Sequence, residues 1–128
     1  MPFELLWESR GVVKHHHGHL TGGELIASAS AVGSDPRYDR LRYIINDFTA
    51  VSSHEVTNHH IEHYASLRIG AAISNRHILS PFVAGAEPWL GMVRLLQHPE
   101  YRNDHPVALF PDLDAARAWL AQAGQDWR

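Results

Sequence analysis

Apolar positions in this chain switch between two periods, one of about two residues and one of between three and four, and the switches mark out its elements. Phe3, Leu5 and Trp7 share one side of a two-residue alternation, as in a half-buried strand. Glu8-Ser9-Arg10-Gly11 reads as a turn in which Gly11 takes a positive φ, and Val12 to His17 returns as the second arm of a hairpin. Thr21-Gly22-Gly23-Glu24 has the spacing of a capping box, in which the threonine hydroxyl accepts from the Glu24 amide and the carboxylate reaches back to the Thr21 amide. Leu25, Ile26, Ala29 and Val32 follow at helical spacing, with Gly33 as the expected stop. Asp35-Pro36 then forces a turn, because a residue before proline avoids helical geometry.

Leu41 to Phe48 is the clearest strand. Tyr43-Ile44-Ile45 leaves no polar face at its centre, which predicts burial on both sides, and the strand is expected to end at Asn46-Asp47. A second capping box, Ser52-Ser53-His54-Glu55, is expected to open a long helix running to about Ser74. Ile78 to Val83 reads as a strand that Pro81 demotes to an edge or a bulge. Pro88 opens a third helix carrying Trp89, Leu90, Val93 and Leu96. Val107 to Phe110 is a short strand, and Asp112 caps a last helix from Leu113 to Ala123 that Gly124 ends. The order ββαβαβαβα predicts a single layered α/β domain over residues 1–128. Its mixed sheet has an antiparallel N-terminal hairpin followed by parallel strands, with the helices packed on the sheet.

Composition narrows the partners. With 45% hydrophobic and 20% charged residues, the chain can build an ordinary core. The formal charge of −3, with 11 Lys and Arg residues spread along the sequence, argues against a nucleic-acid partner. No apolar run approaches the roughly 18 residues that a membrane span requires. Met1-Pro2-Phe3-Glu4 lacks the basic and apolar regions of an export signal, so the cytoplasm is the expected compartment. The absence of cysteine removes disulfides, thiolate nucleophiles and thiolate metal sites together.

The order of elements resembles that of the small SpoIIAA-like domains, the STAS and SEC14-like group. The likeness rests on the initial hairpin, on Leu20-Thr21-Gly22-Gly23-Glu24, and on Asp35-Pro36-Arg37 leading into Leu41 to Phe48. It closes on Phe110 to Leu120 with Ala116-Arg117-Ala118-Trp119-Leu120. The resemblance implies a non-enzymatic module that acts by binding a protein partner or a small apolar or nucleotide ligand, without a cofactor. In the anti-sigma antagonist branch a phosphorylatable serine lies in an Asp-Ser-Ser-Gly run after the central strand. Here Val51-Ser52-Ser53-His54-Glu55 keeps the serines but neither the aspartate nor the glycine, and a helix cap is the better reading of Ser52.

Two groups of residues are candidates for function. In an open parallel sheet, ligands sit beyond the carboxyl ends of the strands, beside helix N-termini. That rim would be formed by Asp47, Thr49, Ser52, Ser53, Glu87 and Trp89, with Asp112 near the last strand. Its carboxylates favour a neutral or apolar ligand. An Asp47, Ser53 and His54 triad is disfavoured, because adjacent helix positions point about 100° apart and no nucleophile elbow is present. The second group comes from the 11 histidines. His59 and His63 stack at i and i+4 on the expected helix, while His15 and His17 share one face of the second strand. Together they would make a transition-metal site, the alternative function. His60 falls within the apolar arc of that helix, where a buried neutral imidazole would make the fold acid-sensitive. A self-associating homodimer, through Trp7 or the Trp89-Leu90 helix, is a third reading.

Overall fold

The computed structural model describes residues 3–85, 87–101 and 103–123. Strands β1 (Phe3–Trp7) and β2 (Gly11–Leu20) form the expected antiparallel hairpin, with Leu5 opposite Lys14. Helix α1 (Gly22–Gly33) follows, then a 3₁₀ turn at Pro36–Arg40, strand β3 (Tyr43–His54) and helix α2 (Asn58–Ser74). Strand β4 (Ser80–Val83), helix α3 (Trp89–Gln97), strand β5 (Val107–Phe110) and helix α4 (Leu113–Ala123) complete the order. The sheet runs β1-β2-β3-β4-β5, parallel from β2 onward. The expected stop at Gly124 lies outside the described residues.

Alternation along the strands sorts the two faces. Leu20, Phe48 and Phe82 pack with Leu25 of α1, Ile61 and Tyr64 of α2, and Trp89, Met92 and Leu96 of α3. Val13, Ile45 and Val83 point the other way, onto Ala116 and Leu120 of α4. Three helices therefore cover one face, and α4 covers part of the other. β3 is buried on both sides at Ile45 and Phe48, as its apolar centre requires.

Local chemistry explains the boundaries. The α1 capping box forms as expected, with Glu24 N donating to Thr21 Oγ1 and Thr21 N donating to the Glu24 carboxylate, both at 3.1 Å. α1 stops at Gly33, closed by Ser34 N donating to Ser30 O at 3.0 Å. The positive φ expected at Gly11 falls instead on Gly18, at 67°. Gly11 is needed for a different reason: a Cβ there would lie 2.1 Å from the Tyr43 ring, which packs on the bare backbone.

Two elements differ from expectation. β3 does not end at Asn46-Asp47 but continues to His54, because β2 is long enough to pair with it as far as Leu20 opposite His54. Register shifts on either side of His17-Gly18 absorb the irregularity. Ser52-Ser53-His54-Glu55 is thus the end of the strand and its exit, and no helix starts there. The helix starts at Thr57, whose Oγ1 accepts from His60 N at 3.4 Å while Thr57 N donates to His60 Nδ1 at 3.0 Å. A histidine takes the place of the capping-box glutamate.

The second difference is β4, which lies inside the sheet between β3 and β5 despite Pro81. Leu79 N donates to Arg42 O and Ile44 N donates to Leu79 O, both at 2.9 Å, so the next rung would run from residue 81 to Ile44 O. Proline has no N–H to offer. The Asn46 side-chain amide supplies the donor instead, reaching Ile44 O and Pro81 O at 3.2 Å and Ser80 Oγ at 3.0 Å. This side chain is fully buried, so its hydrogen bonds are shielded from water and stand in for the missing rung.

Candidate functional site

The residues expected at the rim do not converge. Asp47 is buried in mid-strand, where Oδ2 accepts from His15 Nδ1 at 2.9 Å and Oδ1 accepts from Thr49 N at 2.9 Å and Thr49 Oγ1 at 2.7 Å. Both of its oxygens are engaged within the sheet. Trp89 is a core residue, stacked on Phe48 with ring centroids 4.5 Å apart, while Glu87 is exposed in the preceding turn. Asp112 caps α4, accepting from Ala115 N at 2.8 Å. Ser52 and Thr49 are exposed.

The histidine cluster is not assembled either. His15 and His17 do share a face, with centroids 6.0 Å apart, but His15 is tied to Asp47. His59 and His63 are exposed on α2. Among the described residues, no group of three or more His, Cys, Asp or Glu side chains is placed to hold a metal ion. The buried neutral imidazole is not His60, whose ring serves the helix cap, but His16. His16 is fully buried and stacks on Phe48 with centroids 4.8 Å apart, and burial pushes its pKa down to about 3. The neighbouring Lys14 charge lowers it further, against a smaller opposing pull from Asp47.

The bends in β2 and β3 create one cluster that the sequence reading missed. Ser53 bonds not to His54 but to His19 Nδ1 across the strands at 2.7 Å, and His19 Nε2 meets Glu55 Oε2 at 2.5 Å. The signal was the register that places His19 opposite Ser53. The order carboxylate, imidazole, hydroxyl has the composition of a nucleophile relay. All three side chains are exposed, so water competes for every bond and nothing shields a reacting centre.

A more sheltered site lies elsewhere, between the sheet and the helices α1 and α2. There a cavity of about 60 Å³ opens among side chains whose residues are otherwise close-packed. Its polar lining carries Lys14 of β2, Asn46 of β3, Ser80 of β4, Tyr64 and Arg68 of α2, and His105. All six are buried. Its apolar lining includes Val32 of α1, Ile44 of β3 and Leu67 of α2. Lys14 Nζ donates to Tyr64 OH, and Tyr64 OH donates to Asn46 Oδ1, both at a long 3.4 Å. Arg68 Nη2 donates to His105 O at 3.1 Å. Burial pushes the Arg68 pKa down, with the nearby Tyr64 and Tyr38 hydroxyls acting in the opposite sense. Burial also lowers His105, partly offset by its bond to Asn75 O.

Periodicity in the sequence carries a signal for this site. Lys14 shares the inward face of β2 with Val12 and His16 by strict alternation, and Arg68 falls on the α2 face of Ile61, Tyr64, Ala65 and Ala72. A cation on the apolar side of each of two facing elements is unusual enough to mark a site.

No family model matches this sequence, and no curated protein matches it. Among solved structures, the chain is similar to the anti-sigma factor antagonist SpoIIAA in its unphosphorylated form. The TM-score is 0.61 over 94% of this chain and 97% of that one, at 12% sequence identity. The fold is therefore the SpoIIAA-like, STAS-type α/β fold expected from the element order. No helix among the described residues is long and apolar enough to cross a membrane.

Proposed function

We propose that this chain is a non-enzymatic STAS-type binding module that holds a small molecule, without a cofactor, in the cavity between its sheet and helices α1 and α2. The observation that carries this reading is the partly open cavity lined by both apolar and buried polar side chains. Binding sites are mostly apolar concavities with a few convergent polar groups, and that is the composition of these walls. The exposure of the Ser53, His19 and Glu55 cluster to open water supports a role other than catalysis for it. The neutral ligand expected from a rim of carboxylates loses its basis, since Asp47 is engaged with His15 and Thr49 and does not line the cavity.

The test is a panel of small acids, amides and alcohols screened by thermal shift and native mass spectrometry, on the wild type and on Ala29→Phe, which fills the cavity wall. The expected result is a bound molecule that stabilises the wild type and not the variant. Equal responses from both proteins, or no response to any class, would contradict the reading.

A second reading, docking on a protein, is favoured by the likeness to an anti-sigma factor antagonist over nearly the whole chain. Calorimetric titration with an anti-sigma factor tests it: saturable heat supports it, and a flat trace counts against it. Both readings take the protein to act in the cytoplasm without nucleic acid, as a monomer or a two-fold homodimer.

A further inference from the structure

The cavity contains two cations and no described anion. Lys14 is 2% exposed and Arg68 is 7% exposed. Among the described residues, neither forms a salt bridge with any carboxylate, although six such pairs occur elsewhere. Taking an ammonium and a guanidinium out of water is unfavourable unless an opposite charge or a full set of acceptors compensates. The acceptors are few. Lys14 has three N–H donors, one long bond to the Tyr64 phenol and a place 5.1 Å from that ring's centroid, and Arg68 has five donors and one bond to a backbone carbonyl. Both line the same cavity.

Resting on the small-molecule reading above, we propose that the cavity binds a short-chain aliphatic monocarboxylate, its carboxylate between Lys14 and Arg68. Three features select this class. The planar guanidinium fork of arginine matches a carboxylate, and the lysine adds a point charge. Val32, Ile44 and Leu67, which line the same cavity, suit an alkyl tail, and a single carboxylate needs fewer polar partners than a phosphate. Size sets the length: at roughly 10–15 Å³ per water-sized centre, a cavity of about 60 Å³ holds a few heavy atoms, the scale of acetate to butyrate.

A groove on the surface lies next to the cavity. This groove, of about 300 Å³ between α1 and α2, shares Ala29, Gly33, Leu67 and Ala71 with the cavity. A Cβ at Gly33 would meet nothing within 4 Å, so the C-terminal turn of α1 leaves this groove uncrowded. Tyr64 bridges Lys14 to Asn46, which holds the ammonium on the cavity side of the sheet.

The experiment is calorimetric titration of the intact chain at fixed ionic strength with butyrate, butyramide and inorganic phosphate. It is repeated on Lys14→Met and Arg68→Met, with folding checked by circular dichroism. Butyrate is expected to bind the wild type, butyramide and phosphate to bind at least about tenfold more weakly, and each variant to lose about tenfold in butyrate affinity. Butyrate is expected to raise the thermal midpoint of the wild type and to leave that of each variant unshifted. If one variant does not fold, the other carries the comparison, and ¹³C-carboxyl butyrate with wild type gives an independent readout through the shift of its bound resonance. Butyramide binding as tightly as butyrate would overturn the anion assignment while leaving the small-molecule reading standing. Phosphate binding more tightly than butyrate would overturn the carboxylate assignment in the same way. No binding of any of the three, together with a silent panel, would overturn both.

Discussion

His16 makes the sharpest prediction about the energetics of this fold. Its imidazole is fully buried between Phe3 and Phe48, with Nδ1 lacking any described partner and Nε2 at 3.5 Å from Ser28 Oγ. Desolvation holds it neutral, with a pKa of about 3 in the fold, against about 6.5 in the unfolded chain. A base with a depressed folded pKa binds its proton preferentially when unfolded. The stability it preserves is therefore complete above pH 6.5 and is lost progressively as the pH falls toward 3. At about 1.4 kcal/mol per pH unit, acidification from pH 7.5 to 5 removes about 2 kcal/mol through this residue alone. With about 2.1 cal/mol/K of unfolding entropy per residue and 128 residues, that corresponds to a fall in Tm of about 7 °C. His105, also lowered by burial, adds to the wild-type slope and must be subtracted. His16→Phe does this, because it keeps a ring against Phe48 and leaves His105 in place. Urea denaturation followed by circular dichroism across this pH range should show the two stability curves separating by about 2 kcal/mol at the acid end. Parallel curves would refute the reasoning, whatever the absolute stability of the variant.

Other substitutions test the local accounts. Asn46→Ala should cost about 1–3 kcal/mol in urea denaturation, because it leaves Ile44 O without the donor that Pro81 cannot supply. A cost near zero would show that the ladder closes without it. Thr57→Ala should destabilise by about 1 kcal/mol and Ser52→Ala by less than about 0.5 kcal/mol, since only the first caps α2. The reverse ranking would place the helix start at the serines. Gly11→Ala should cost about 1–3 kcal/mol by forcing the Tyr43 ring off the backbone, and a neutral result would show that the ring moves freely.

The parts of the fold legible in sequence are those where local chemistry and tertiary packing agree. The hairpin, the Thr21 capping box, β5 and the Asp112-capped helix all have this character. The end of β3 was not legible, because Ser52-Ser53-His54-Glu55 satisfies a capping template while its actual state is fixed by pairing with a long β2. Pro81 misled for a related reason: the rule against interior proline assumes that no side chain replaces the lost donor, and Asn46 replaces it. At the site, Asp47 attracted attention as a carboxylate at an apparent strand end and lies in mid-strand, satisfied by His15 and Thr49. Lys14 and Arg68 were legible only in part. Periodicity places each on an apolar face, but that the two line one cavity emerges only when α2 is laid over β2.

The location of binding is the claim on which the functional account stands. An NMR titration of the isotopically labelled wild-type chain with butyrate measures it directly. The account predicts shift changes centred on Lys14, Asn46, Tyr64 and Arg68 and extending to Val32 and Leu67 of the helices above them. Changes centred instead on Thr49 to Glu55 or on the turn before Trp89, or no saturable change at all, would contradict it.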